Sequence, residues 1–328
     1  MASIGLDEIE STTRKALVGH SAADWIASEV ARAVRRAEET GNVICGLYYV
    51  ESYCLQLASG RVNGTVEPEI TRPRPASVKS DAKYGFAQAA FAKALPEAVA
   101  AARENGTATL AVAHAHTCTS LGYFTEQIAA EGLIGIGFTN ASPVVAPPGG
   151  NTAVIGTNPI AMTVPGPDGP RMHFDFSTSA VALGKITMAK AAGEAIPEGW
   201  AVDAEGRPTT DPEAALAGAL VSAGGYKGWG FGLMAELLAA GMTGSVNSLD
   251  VSGLKLADGP PHGLGQFYFL LDPGTYTDAF DDRFDRVASA VATQPGARLP
   301  GAARPEANVV QVPDALWEKI TKLARTHA

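Results

Sequence analysis

Four short loops of this 328-residue chain hold the groups that could do chemistry. Pro147-Pro-Gly-Gly150 and Gly156-Thr-Asn-Pro159 expose backbone amides and set small residues where a phosphate or sugar can approach closely. Ser177-Thr-Ser179 follows Asp175 at the end of an apolar segment and precedes Lys185. Hydroxyls clustered there can cap the next helix or bind phosphate through the helix amides. Gly224-Gly-Tyr-Lys-Gly-Trp-Gly230 sets Lys227 beside a helix start, where ammonium and amide dipoles together suit an anion. Each loop taken alone reads equally as an ordinary turn, a plain helix cap or a surface lysine. No Gly-x-Gly-x-x-Gly follows a strand and opens a helix, so a Rossmann reading has no support. Gly132-Leu-Ile-Gly135-Ile-Gly137 lies inside a strand-like run and reads as packing. No C-x-x-C pair or His-x-x-x-His spacing points to a metal.

The elements that position these loops follow from periodicity. The first sixty residues read mostly as helix: Ser21 to Asp24 opens a run in which Trp25, Ile26, Val30 and Val34 repeat at helical spacing, and Gly41-Asn42 stops it. A mixed segment from Leu47 to Leu57 ends at Ser59-Gly60, and Arg72-Pro-Arg-Pro75 reads as a linker. Ala82 to Arg103 is Ala-rich and helical, Thr107 to Ala113 a strand, Gly122 to Ala130 a helix, and Leu133 to Phe138 a strand. Ile160 to Val164, Met172 to Phe176 and Gln266 to Leu271 are further strands; Gly228 to Gly241, Asp278 to Val291 and Pro313 to Arg325 are helices. Short strands with irregular connections predict an α+β fold.

A net charge of −9 leaves no electrostatic footprint for nucleic acid. The start of the chain lacks a secretory pattern, no apolar run reaches the ~20 residues that span a bilayer, and Glu236 interrupts the best candidate. Three scattered cysteines, Cys45, Cys54 and Cys118, fit a reducing cytoplasm. The expectation is a cytoplasmic protein with a small-molecule substrate, no nucleic-acid partner and no membrane.

Several segments, in order along nearly the whole chain, resemble the type-2 malate/L-lactate dehydrogenases, nicotinamide-dependent reductases outside the Rossmann group. They are Thr139 to Gly150 running on to Ile155-Gly-Thr-Asn-Pro159, Asp175-Phe-Ser-Thr-Ser179 with Gly184-Lys185, and Gly199 to Pro212. Gly225-Tyr-Lys-Gly228, Gly265 to Pro273 and Arg298-Leu-Pro-Gly301 complete the set. The resemblance implies a homodimer and a non-Rossmann domain, a mixed, largely antiparallel sheet flanked by helices. A helical domain made from both chain termini accompanies it, with residues 1–72 completed by 275–328 and the α/β NAD(P)-binding domain spanning 73–274. It implies hydride transfer between NADPH or NADH and a 2-oxo acid or the C=N bond of a cyclic imine. It places Thr117, Asn140, Gly156, Thr157, Asn158, Pro159, Asp175, Phe176, Ser177, Thr178, Ser179, Lys185, Tyr226, Lys227, Gly228 and Gly301 along the cofactor.

The chain departs from the family where substrate is handled. Ile44-Cys45-Gly46-Leu-Tyr-Tyr49 stands where the family usually has Ser-His-Gly-x-x-Arg, so Cys45 replaces a proton-transferring histidine and Tyr49 a carboxylate-gripping arginine. A second family histidine falls on Thr117 when anchored on Gly122-Tyr123; a one-residue shift would return His116 to the site, and otherwise His116 is a structural histidine. Gln266 stands where another histidine is common, and Tyr226 replaces one in the Gly-His-Lys-Gly segment. Tyr49, Tyr226 and, weakly, Cys45 could supply a proton, or each could simply fill space. Asp175 could hold the nicotinamide end or polarise a partner, or merely cap Ser177 to Ser179. An iminium arrives already protonated, so imine reduction suits this sequence better than 2-oxo acid reduction, with the C=O of a neutral or bulkier ketone held by Tyr49 as a further substrate class. The alternative is a repurposed or catalytically silent relative that uses the cleft for ligand binding or non-redox chemistry.

Overall fold

The computed structural model describes residues 1–301 and 307–325. A short strand β1 (Ala2–Gly5) leads into α1 (Leu6–Gly19) and α2 (Asp24–Glu39). Leu6, Ile9, Thr13, Ala16 and Leu17 in α1, and Ile26, Val30, Ala33 and Val34 in α2, recur every three or four residues, so each helix buries one stripe. Single turns at Val43–Cys45 and Leu47–Tyr49 precede α3 (Val50–Ser59), which Gly60 ends in the left-handed conformation.

Next come β2 (Glu69–Arg74), β3 (Ser77–Asp81), α4 (Ala87–Asn105), β4 (Thr107–Ala115), α5 (Gly122–Ala130), β5 (Ile134–Thr139), β6 (Ile160–Val164) and β7 (Met172–Phe176). A satellite follows, made of α6 (Leu183–Ala192), β8 (Ala201–Val202), β9 (Pro208–Thr209), α7 (Pro212–Ala217) and β10 (Ala219–Leu220). The chain finishes with α8 (Tyr226–Glu236), β11 (Leu264–Leu271), α9 (Phe280–Ala292), β12 (Val309–Val312) and α10 (Asp314–Arg325).

Seven strands form one sheet in the order β2-β3-β4-β11-β5-β6-β7, in which β3–β4 is the parallel pair and the other neighbours are antiparallel. Two-residue alternation divides its faces. Leu110, Tyr268 and Leu270 pack with Phe91 of α4 and Phe124 and Ile128 of α5, while Phe138, Ile160 and Phe269 meet Ala235 and Leu238 on the other side. This is the expected α+β class, a mixed and largely antiparallel sheet flanked by helices. The helical core draws on both ends of the chain: β1 pairs with β12, and Leu6, Val30, Tyr53, Val312 and Ile320 share one cluster. Helix α9 instead turns Asp281 and Asp285 towards Arg171, next to β7.

Three expectations need correction. The helix expected from Ala82 begins only at Ala87, after a turn with Lys83 and Tyr84 at positive φ. Arg72-Pro-Arg-Pro75 is not a linker, because residues through Arg74 belong to edge strand β2, where Pro73 costs no interior ladder bond. The helix expected over Gly228 to Gly241 starts earlier, at Tyr226, and its last turn, Leu237–Gly241, widens into a π-helix. There β11 passes so close that a Cβ on Gly265 would lie 1.9 Å from the Ala239 carbonyl oxygen.

Candidate active site

The segments expected along the cofactor converge. Thr178 donates from its amide to the Thr157 carbonyl at 2.9 Å and from Oγ1 to the Thr157 and Asn158 carbonyls. Ala223 N donates back to the Thr178 carbonyl at 2.9 Å, and Ser179 bridges to Ser222. Ser177-Thr-Ser179 therefore lies between the Gly156-to-Pro159 turn and the turn that opens α8. Asn158, buried at a positive φ of 33°, donates to the Gly232 carbonyl at 3.1 Å and to Glu236 Oε2 at 2.9 Å. Glu236, read from the sequence only as a charge interrupting an apolar run, is the hub of this side. Its carboxylate also accepts from Ser248 N at 2.8 Å, Asn247 Nδ2 at 3.2 Å and Ser248 Oγ.

Much of this side is spent on architecture. Gly156 packs on Ala141, whose carbonyl oxygen would lie 2.7 Å from an added Cβ, and Pro159 leads directly into β6. Asn140 clamps Val246 O and Gly265 N at 2.8 and 3.0 Å. Ser179 Oγ donates to Ser177 Oγ and to Val181 O, and Gly301 packs at positive φ against His173. Lys185 borders a separate hollow with Met188, Glu194 and Trp200.

What stays open is the start of α8. Gly224 and Gly225 adopt φ of 64° and 62°, with no atom within 4 Å of where a Cβ would stand, and Tyr226 and Lys227 are exposed. Gly228 is the tight point of the turn, since a Cβ there would lie 2.0 Å from the Ala223 carbonyl oxygen. The first amides of an eleven-residue helix have no intrahelical acceptor, and with the Lys227 ammonium they suit a phosphate. Exposed Phe176, stacked on Phe174 at 4.7 Å, adds an aromatic surface nearby. These features fit the phosphates and rings of a dinucleotide.

A second group gathers Cys45, Tyr49 and Asp175 around Cys118. Burial and the nearby Asp175 carboxylate push the Cys45 thiol up to about 12, so it stays protonated at neutral pH. Burial and the Cys45 sulfur raise the Tyr49 phenol to about 12 as well. Asp175 reaches to α5. Its Oδ2 accepts from Gly122 N at 2.8 Å and Ser120 Oγ at 3.1 Å, holding the first turn of α5. Ile44 Cδ1 lies 3.6 Å from the Cβ position of Gly184, next to Lys185 at the start of α6.

His116 is buried one layer behind, enclosed by Tyr53, Phe86 and His262, with Nε2 2.7 Å from Gln56 Oε1. Its ring stacks on His262 with centroids 4.1 Å apart, and Thr117 N donates to His262 Nδ1 at 3.2 Å. Burial and the neighbouring His262 and Arg61 hold His116 well below its ordinary range; burial takes His262 to about 3. Gln266 is enclosed in β11 and accepts from Tyr268 Oη at 2.8 Å. Tyr226 is 80% exposed at the other loop, apart from this group.

Sequence reasoning missed Gln56, Arg61, Lys255, His262 and Glu236. Arg61 and Gln56 bind the carbonyls of the 253–260 loop, and that loop carries Lys255. A clue was present in the excess of glycine and proline from Gly253 to Gly263, which needs outside donors to be held in one shape. Among the described residues no helix is long and apolar enough to cross a membrane, and no His, Cys, Asp and Glu group could hold a metal ion.

Comparison with known proteins agrees with this geometry. The chain is 37% identical over 330 residues to a Δ1-pyrroline-2-carboxylate reductase of Ancylobacter novellus, covering 98% of this chain and 97% of that one. It is 38% identical over 301 residues to a (2R)-3-sulfolactate dehydrogenase (NADP+) of Chromohalobacter salexigens, covering 92% and 90%. The solved structure of a Δ1-piperideine-2-carboxylate reductase from Pseudomonas syringae superposes with a TM-score of 0.91 at 32% identity, covering 98% of this chain and all of that one. The sequence profile of the malate/L-lactate dehydrogenases matches residues 4–321. With its sheet order, convergent loops and full-length relatives in agreement, the chain belongs to the malate/L-lactate dehydrogenase family.

Proposed function

We propose that this chain, an NAD(P)-dependent oxidoreductase, reduces the C=N bond of a small cyclic imine that carries a carboxylate beside the imine carbon. The observation that carries the reading is the charge at the substrate side: a carboxylate, Asp175, stands next to a thiol held protonated, with no imidazole at position 45 and no guanidinium at position 49. Ketone reduction builds negative charge on oxygen and needs an acid at that moment. Iminium reduction starts from a cation and neutralises it. A fixed carboxylate keeps the imine nitrogen protonated, the form that accepts hydride, and opposes a developing alkoxide.

In this reading residues 73–274 are the cofactor-binding domain, and 1–72 with 275–328 form the helical domain. The bound nicotinamide cofactor, NADPH or NADH, supplies the hydride. Lys227 and the first amides of α8 hold its phosphates, with Ser177 to Ser179 and the turn from Gly156 to Pro159 supporting them. Asp175, fixed by Gly122 N and Ser120 Oγ, faces the positive end of the imine. Cys45 and Tyr49 keep water out, and both stay un-ionised. Two relatives named for cyclic imine carboxylates support the reading. The sulfolactate dehydrogenase relative keeps reduction of an anionic 2-oxo acid as the second reading. Reduction of either kind leaves no need for the silent or repurposed alternative. Exposed Phe231, Leu237, Met242 and Leu249, on and after α8, are the surface we assign to a second copy in a cytoplasmic homodimer.

The test is fluorescence titration of the purified protein with NADPH and NADH, followed by nicotinamide consumption with Δ1-pyrroline-2-carboxylate, Δ1-piperideine-2-carboxylate and a set of 2-oxo acids. Binding followed by imine-dependent consumption is expected. A folded protein that binds neither nucleotide would end the reading.

A further inference from the structure

We propose that Lys255 is the residue that binds the substrate carboxylate, and so makes the site specific for anionic cyclic imines. This rests on the functional reading above and supplies the group it lacks. A substrate with a negative charge beside its C=N bond needs a cation at the rim, and the walls described so far provide Asp175, Cys45 and Tyr49 but no positive group.

The cation comes from a distant part of the chain. Lys255 Nζ lies 3.0 Å from the centroid of the Tyr48 ring and 4.9 Å from that of Tyr49, the residue standing where an arginine was expected. No carboxylate pairs with this ammonium among the described residues; its partners are the faces of two tyrosines. Aromatic faces attract a cation and strip part of its water without neutralising it, so its charge stays available to an anion. Tyr48 is 53% exposed, which leaves the ammonium within reach of a ligand.

The loop that presents Lys255 is held on both sides of it. Gln56 Nε2 donates to the Leu254 carbonyl at 2.9 Å and to the Leu256 carbonyl at 2.7 Å, bracketing Lys255. Arg61 donates to Gly253, Leu256 and Pro260 carbonyls and to Ser252, and Ser59 Oγ to the Ala257 carbonyl. Gln56 is itself fixed through Oε1 by His116, whose ring stacks on His262 at the end of the same loop. A buried arginine used entirely on backbone carbonyls and Ser252 positions a loop. This explains how His116 serves the site without reaching it: it orients Gln56, and Gln56 orients the backbone of Lys255. A lysine is a point charge and lacks the bidentate fork of arginine, so it grips a carboxylate without fixing its plane. That suits a ring whose orientation is set by its own fit against Tyr48 and Tyr49.

The experiment compares the full-length wild type with Lys255→Met and Lys255→Arg on Δ1-pyrroline-2-carboxylate and on neutral 2-methyl-1-pyrroline. Lys255→Met should raise KM for the carboxylate imine by about 10- to 100-fold, the size expected for one charge-assisted contact, and leave kcat within about threefold. Kinetics with the neutral imine and the affinity for NADPH should not change, and Lys255→Arg should retain most of the wild-type KM. An unchanged KM in Lys255→Met, or an equal loss on both imines, would overturn the proposal. If the wild type reduces no cyclic imine, the functional reading falls, and calorimetric binding of pyrrole-2-carboxylate against pyrrole then decides on Lys255. An anion preference lost in Lys255→Met supports it; no anion preference in the wild type contradicts it.

Discussion

The two sides of the cleft satisfy their polar groups in different ways. On the cofactor side the named side chains are committed mostly to backbone: Asn140 to Val246 and Gly265, Thr178 to Thr157 and Asn158, Asn158 to Gly232, and Glu236 to Ser248. What remains for a ligand there is backbone amide and one lysine. On the substrate side more buried polar atoms are left over: His116 Nδ1, His262 Nε2, Gln266 Nε2 and Tyr53 Oη lack well-formed partners, against Asn158 Oδ1 among the groups named on the cofactor side. Such atoms cost free energy comparable to a lost hydrogen bond each and are tolerated where function or specificity requires them. The difference teaches that backbone-built recognition constrains sequence through turns, whereas side-chain-built recognition can be replaced residue by residue.

The largest effect expected from perturbing this contrast is at Asp175. Asp175→Ala removes the carboxylate that faces the imine and the acceptor of Gly122 N, so kcat should fall by about 10²–10⁴-fold while NAD(P)H affinity holds, measured by stopped-flow turnover and fluorescence titration. Gly228→Val attacks the other side. A Cβ 2.0 Å from the Ala223 carbonyl must displace the start of α8, and NAD(P)H should bind on the order of 100-fold more weakly. Loss of substrate affinity with intact nucleotide binding would contradict the division of labour.

A third effect comes from pH. His116 and His262 are held neutral when folded, whereas in the unfolded chain each takes a proton near pH 6.5. The unfolded state therefore binds more protons below that value, and stability falls as pH drops from about 6.5 towards 3, by about 2 kcal/mol at pH 5 for His262 alone. Urea unfolding at pH 7 and pH 5 should show this loss, reduced in His262→Asn. The smallest effect is at Cys45. A thiol raised to about 12 does not ionise near its ordinary value, so kcat for an imine should show no step near pH 8.5, and Cys45→Ala should cost less than about tenfold.

The same contrast governs what could be read from the chain. Periodicity placed α5, β6 and β7 at their observed bounds, and glycine marked the turns at Gly156 and Gly224, because local geometry demands particular residues there. Pairings between distant segments left no local trace. The β1–β12 ladder, Gln56 reaching to Leu254 and Leu256, and Lys255 lying over Tyr48 bring together residues some 200 or more positions apart. Asp175 was singled out as a group of interest, but its contact with α5 left no local trace, since the sheet register of β6 and β7 brings it there.

The most direct test of the account is the ratio of kcat/KM for Δ1-pyrroline-2-carboxylate to that for pyruvate, measured with the same enzyme and nucleotide. Cys45 and Tyr49 in place of histidine and arginine, beside the Asp175 carboxylate, predict a ratio above about 100 in favour of the imine, the low end of what a missing general acid costs a ketone. A ratio near one, or one favouring pyruvate, would show that the substrate side still supplies an acid and that its charge does not select for an iminium.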